Sequence, residues 1–177
     1  MTRISGFSLL GGILALLLGL SVQQTWGGDQ HNQQPLGFSL PDINGKLQVA
    51  NQWSGKVVVI NFWATWCSPC LKEIPEFIEL QNDYKQQGVQ FVGIAIDDVE
   101  PVKEYLASVN SNYPQLIAGD AGIALARQLG NVANAVPFTI IINQDGKIVH
   151  QQAGELSRSE LVNLLNSAVT NRLSNNR

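Results

Sequence analysis

Cysteine is nearly absent from this 177-residue chain, which carries two, three positions apart. That scarcity excludes a secreted scaffold held by several disulfides and turns attention to the chemistry of a single pair. Basic charge is scarce as well. Eleven Lys and Arg against fourteen Asp and Glu leave a net charge of −3. No basic stripe of the kind a nucleic-acid binder needs is present, so nucleic acid is not an expected partner. Long apolar runs are confined to one N-terminal segment; that segment accounts for much of the mean hydropathy of +0.03, and a polytopic membrane protein is excluded. No internal repeat is visible, and the many Gln and Asn are scattered as polar surface rather than gathered in a tract. The length suits one globular domain and is too short for two comfortable ones.

What is present begins with an address. Residues 4–22, ISGFSLLGGILALLLGLSV, carry no charge and follow Arg3, the pattern of a signal peptide or an N-terminal membrane anchor. As a helix the run spans about 28 Å against a hydrocarbon core of about 30 Å, so length leaves cleavage and retention both open. Small residues at Gly19 and Ser21, or Thr25 and Gly27, suit a peptidase. No cysteine lies nearby for lipid attachment, and Arg3 held on the cytoplasmic side directs the rest outward. The expected location is an exported, oxidising compartment, the periplasm or an equivalent lumen, with the domain soluble after cleavage or anchored by residues 1–22. Residues 23–36, rich in Gln, Gly and Asn, read as a flexible tether, and His31 within them as a solvated linker residue. The domain is expected over residues 37–173, with a short tail at 174–177.

Within that domain, residues 38–40 and 46–49 flank an Asn44-Gly45 turn and predict a hairpin. KVVVINFW after Gly55 is apolar at successive positions, as a central strand covered on both faces requires. Apolar residues at Leu71, Ile74, Phe77, Ile78 and Leu80 predict a helix over 69–87, ended by Gly88 and kinked at Pro75. A second buried strand is expected over 89–96, helices over 99–109 and 122–129, a hairpin from 138–142 and 147–151, and a closing helix over 157–173 opened by Ser157. The order β, α, β, α, α, β, β, α implies an α/β fold of three layers, a mixed sheet with helices on both faces.

The cysteines sit in Trp66-Cys67-Ser68-Pro69-Cys70, between the first long strand and its helix. Unpaired N–H groups at a helix start favour negative charge, so Cys67 is expected to titrate below the free value of about 8.5 and to be the exposed attacking thiolate. Cys70, one turn on, is placed to resolve a mixed disulfide on Cys67. Pro69 in the first turn costs no hydrogen bond and stiffens the corner. A purely structural disulfide across so short a loop contributes only about 2 kcal/mol in the loop-entropy account. A zinc site lacks two further ligands at the usual spacing, since His31 lies in the tether and His150 on a late strand, where it reads as solvent-facing. No metal is expected, and no cofactor beyond the redox-active cysteine pair.

FWATWCSPC after a Val-rich strand, together with Val136-Pro137 before FTIII, resembles the thioredoxin superfamily. FSLPDINGKLQV, the N-terminal run and the helical insertion over 99–129 narrow the resemblance to its exported TlpA-like and ResA-like members. It implies a thioredoxin-like fold with an N-terminal hairpin and a thiol-disulfide oxidoreductase acting through Cys67 and Cys70. It also implies protein disulfide substrates, apocytochrome c among them, a membrane thiol transporter as electron donor, and a reductive direction. In this family the proline matching Pro137 is cis and faces the cysteines, leaving the backbone of the residue matching Val136 free for substrate; taken alone, Pro137 is an ordinary strand-entry proline. Trp66, Pro69, Val136 and Pro137 are the substrate-binding candidates. Where thioredoxins carry a buried Asp, Asn61 stands and cannot take a proton. Glu73 matches a glutamate thought to tune the thiols in ResA-like proteins; otherwise it is a first-turn residue complementing the helix dipole. Two other readings remain: a peroxiredoxin-like peroxidase, suggested by the FSLPDINGK opening although Thr65 stands two rather than three residues before Cys67, and a non-enzymatic tethered assembly or chaperone module.

Overall fold

The structure, a computed structural model, describes residues 35–175. The expected export segment, most of the tether and His31 lie outside the described residues. Strands β1 (Ser39–Pro41) and β2 (Leu47–Val49) form the expected antiparallel hairpin, with Leu40 opposite Gln48. Its turn is held by the Asp42 carboxylate, whose Oδ1 accepts from the N–H groups of Asn44 at 2.9 Å and Lys46 at 3.0 Å. Gly45 takes the left-handed conformation there, φ 79°, which any side chain would disfavour.

The main sheet has five strands. β3 (Val57–Trp63) is buried at every position, as its unbroken apolar sequence requires. It pairs in parallel with β4 (Val89–Ala95), which pairs in parallel with β5 (Gln115–Ile117). On its other side β3 runs antiparallel to β6 (Phe138–Ile142), and β6 to β7 (Ile148–Ala153), giving the order β5-β4-β3-β6-β7. β5 is an addition to the sequence reading: three residues after Pro114 are too few to show a period. An antiparallel bridge from Asp42 to Leu116 ties the hairpin to this edge strand.

Helices α1 (Ser68–Tyr84), α2 (Val99–Val109), α3 (Ala121–Gln128) and α4 (Arg158–Asn175) fall where apolar periodicity placed them. Alternate residues of β3 divide the core. Val58, Ile60 and Phe62 pack with Ile140, Leu116, Ala126 and Leu129 on the side of α3 and the hairpin. Val57 and Val59 pack with Phe77, Leu80, Leu161 and Leu165 on the side of α1 and α4. The Ser157 hydroxyl accepts from the Glu160 N–H at 3.4 Å at the start of α4. His150 is opposite Ile141 and shares its face of the sheet, so it is half-buried with Nε2 cut off from solvent, not solvent-facing as expected.

Pro75 lies inside α1, yet the helix runs on to Tyr84. Proline has no N–H for the carbonyl four residues back, and here the Leu71 carbonyl accepts from the Tyr105 hydroxyl of α2 at 3.0 Å. The helical insertion expected over 99–129 thus contains β5 between its two helices, and its first helix supplies the hydrogen bond that α1 lacks.

Candidate active site

β3 ends at Trp63, and the chain turns through Ala64-Thr65-Trp66 before α1 begins. Asp97, just past the end of the neighbouring parallel strand β4, fixes that turn by accepting from the Thr65 N–H at 2.9 Å and its hydroxyl at 2.5 Å. Burial works to raise the Asp97 carboxyl, yet the Thr65 bonds and one from the Asp98 N–H outweigh it and hold it below the usual carboxylate range. Asp97 was missed in the sequence; its place just beyond the carboxyl end of the buried strand expected over 89–96 is the signal that points to it.

Cys67 is the N-cap of α1 and its Sγ accepts from the Cys70 N–H at 3.3 Å. The two cysteines form a disulfide, Cα to Cα 5.3 Å. Cys67 is only 5% exposed and Cys70 fully buried, so the expected exposure of Cys67 is reduced to a narrow opening. Trp63, Ala64, Ile74 and Val102 close around the pair, with Val136 packed against the same cluster. Trp66 is 66% exposed beside it, while Pro69 is half-buried in the first turn.

The Val136–Pro137 peptide bond is cis. Pro137 is buried, and its carbonyl accepts from the Gly154 N–H at 2.9 Å. Among the described residues, neither the N–H nor the C=O of Val136 takes a protein partner.

Glu73 is 2% exposed, buried rather than displayed on the first turn. Its Oε1 accepts from the Leu156 N–H at 2.6 Å, and Oε2 has no partner. Burial pushes its carboxyl up to about 7; the Leu156 bond and the Asn61 amide pull the other way, and Glu155 and Glu76 add to the rise. Asn61, also buried, donates from Nδ2 to the Thr139 hydroxyl at 3.0 Å, and its Oδ1 is unpartnered. A buried carboxylate with one oxygen unsatisfied is costly when ionised, which is why Glu73 keeps its proton toward neutral pH. The site therefore holds a redox pair at a helix start and a titratable carboxyl one turn beyond it.

The Redoxin family matches residues 31–165. The chain is 31% identical to the thiol-disulfide oxidoreductase ResA of Bacillus thuringiensis (strain Al Hakam) over 154 residues, 84% of this chain and 87% of that protein. It is 32% identical to the ResA of Bacillus subtilis (strain 168) over 130 residues, 73% of this chain and 70% of that protein. Among solved structures, a thiol:disulfide interchange protein of the thioredoxin family from Chlorobium tepidum TLS is similar at a TM-score of 0.67 and 28% identity, covering 75% of this chain and 92% of that one.

Proposed function

The chain belongs to the Redoxin family and is a thiol-disulfide oxidoreductase, and from that premise we propose that it reduces protein disulfides in an exported compartment, with the disulfide of an apocytochrome c haem-attachment segment as its substrate. The Cys67–Cys70 pair at the start of α1, with Glu73 buried one turn further along the same helix, is the observation that carries this reading. The redox group is the cysteine pair itself. Among the described residues no group of three or more His, Cys, Asp or Glu is arranged to hold a metal, and no helix is long and apolar enough to cross a membrane.

In the reduced protein the Cys67 thiolate attacks one sulfur of the substrate disulfide. A Cys67–substrate disulfide forms, and the first substrate sulfur leaves as a thiolate and takes a proton. Cys70 then passes its proton to ionised Glu73 and attacks the Cys67 sulfur, which closes the Cys67–Cys70 disulfide and expels the second substrate thiolate, and Glu73 returns ionised as that thiolate takes up the proton. The substrate gains two electrons and two protons, and the protein is left in its disulfide form. A membrane thiol transporter restores the dithiol. Exposed Trp66, Pro69 in the first turn, the unpaired backbone of Val136 and the adjoining Pro137 offer an extended substrate strand its contacts. The export segment at 1–22, the tether at 23–36, the catalytic domain at 37–173 and the tail at 174–177 belong to the same proposal.

Alkylation of intact cells in acid, where exchange is frozen, reads the resting state of the pair. Mostly reduced Cys67 and Cys70 support a reductase; a predominantly oxidised pair makes the protein a disulfide donor.

A further inference from the structure

The loop between α3 and β6 is built from small or exposed residues, Val132-Ala133-Asn134-Ala135, with little of its own to pack; Val132 at its tip is 87% exposed. Yet the residue that follows it is Val136. Asn131, only 3% exposed, opens the loop and closes its side-chain amide on Ala135 from both sides. Its Nδ2 donates to the Ala135 carbonyl at 2.8 Å and its Oδ1 accepts from the Ala135 N–H at 2.9 Å.

Asn131 is itself fixed. Its N–H donates to the Ala126 carbonyl at the end of α3 at 2.9 Å, and the preceding Leu129 carbonyl accepts from Gln151 Nε2 of β7 at 2.8 Å. Gly130 between them has φ 104° and lies so close to the Gln151 amide that a side chain there would collide with it. Val136 is therefore bracketed: upstream the Asn131 amide holds both polar groups of Ala135, and downstream the Gly154 N–H holds the Pro137 carbonyl. Between these two fixed peptides, the N–H and C=O of Val136 have no protein partner among the described residues.

We propose that Asn131 is a positioning residue for substrate binding: its amide clamps the Ala135 backbone so that the N–H and C=O of Val136 are held in the orientation that pairs with an extended substrate strand. This rests on the reading that substrate pairs with Val136. The clamp's side-chain bonds go to the Ala135 backbone and to neither cysteine, so its loss acts on capture of the peptide and not on the exchange chemistry.

The test uses the full chain, reduced, mixed in single turnovers with an excess of a synthetic peptide holding an intramolecular disulfide. The concentration dependence separates half-saturation from the limiting rate, and the alkylation rate of Cys67 reports whether the thiol corner is intact. Asn131→Ala is expected to raise the half-saturating concentration about tenfold, with the limiting rate and Cys67 alkylation within about twofold of the parent. Asn131→Gln, one methylene too long to close on Ala135, gives the same split while keeping a buried amide, which covers the case in which the alanine variant fails to fold. Val132→Ser at the loop tip leaves half-saturation unchanged. Unchanged half-saturation in the Asn131 variants, or a limiting rate and alkylation rate that fall together, overturns the proposal. The same peptide N-methylated beside its cysteines tests the underlying reading separately: if the parent protein is indifferent to N-methylation, substrate does not pair with Val136 and both readings fall. If the parent is sensitive and the Asn131 variants bind normally, only the clamp is refuted.

Discussion

At the start of α1 the two cysteines and the buried carboxyl of Glu73 differ in environment. Cys67 receives a hydrogen bond from the Cys70 N–H at the start of α1, and a thiolate there gains from the unpaired N–H groups of the first turn. In the reduced protein Cys67 should react with an alkylating reagent well below the pH a free thiol needs, while buried Cys70 should react slowly; labelling against pH with mass-spectrometric site assignment checks this. Glu73 gives a second pH dependence. The folded protein holds this proton to about pH 7, against 4.5 for the unperturbed group. Folding is therefore favoured by its protonation, an advantage full below 4.5 and lost as the pH rises through about 7. Glu73→Gln keeps an acceptor for the Leu156 N–H and cannot ionise, so its melting temperature should gain on the parent between pH 5 and 8. The variant should also lose the inflection near neutral pH in the rate of disulfide reduction. Glu73 was legible as a residue three beyond Cys70, but its burial was not, because the covering Leu156 stands 83 positions away.

At the scale of elements, the insertion before β6 supports the corner that carries the cysteines. The Trp63 indole N–H donates to Gln115 Oε1 of β5 at 3.0 Å, and Trp63 lies in the same buried cluster as both cysteines and against the Tyr105 ring, 5.6 Å between centroids. Gly93 of β4 makes this possible, since a Cβ there would stand 1.9 Å from Gln115 Oε1. Gly93→Ala should displace the Gln115 amide, leave the buried Trp63 N–H unpaired and cost about 1–3 kcal/mol in denaturant unfolding. Tyr105→Phe removes the donor to the carbonyl freed by Pro75 and should cost about 1 kcal/mol in the same measurement. Strands β3, β4 and β6 and the helices were legible because their apolar periods are long and uninterrupted. The six bonds that hold the site's corners, made by Asp97, Gln115, Tyr105 and Asn131, were not. The bonds of Asp97, Gln115 and Tyr105 join residues 32 to 52 positions apart that only the packed fold brings together, and the Asn131 clamp closes a loop with no periodic pattern; composition carries no trace of either.

Taken as a whole, the molecule sets a cysteine pair past the carboxyl end of the central strand of a five-stranded sheet, with helices on both faces closing over all but a narrow opening at Cys67. Ser68-Pro69 between the cysteines contributes no charge to hold a thiolate, so the pair should be reducing, nearer the about −270 mV of thioredoxin than the about −120 mV of a dedicated oxidant, as redox equilibration with glutathione or dithiothreitol will read. The central claim, that Cys67 attacks and Cys70 resolves on protein disulfides, is tested most directly by trapping. Cys70→Ser cannot resolve its mixed disulfide. Expressed in the native compartment and quenched with acid and alkylating reagent, it should accumulate reductant-sensitive adducts joined through Cys67, while Cys67→Ser and the double variant accumulate none. Adducts on Cys67→Ser in place of Cys70→Ser, or no adducts on any variant, would contradict the account.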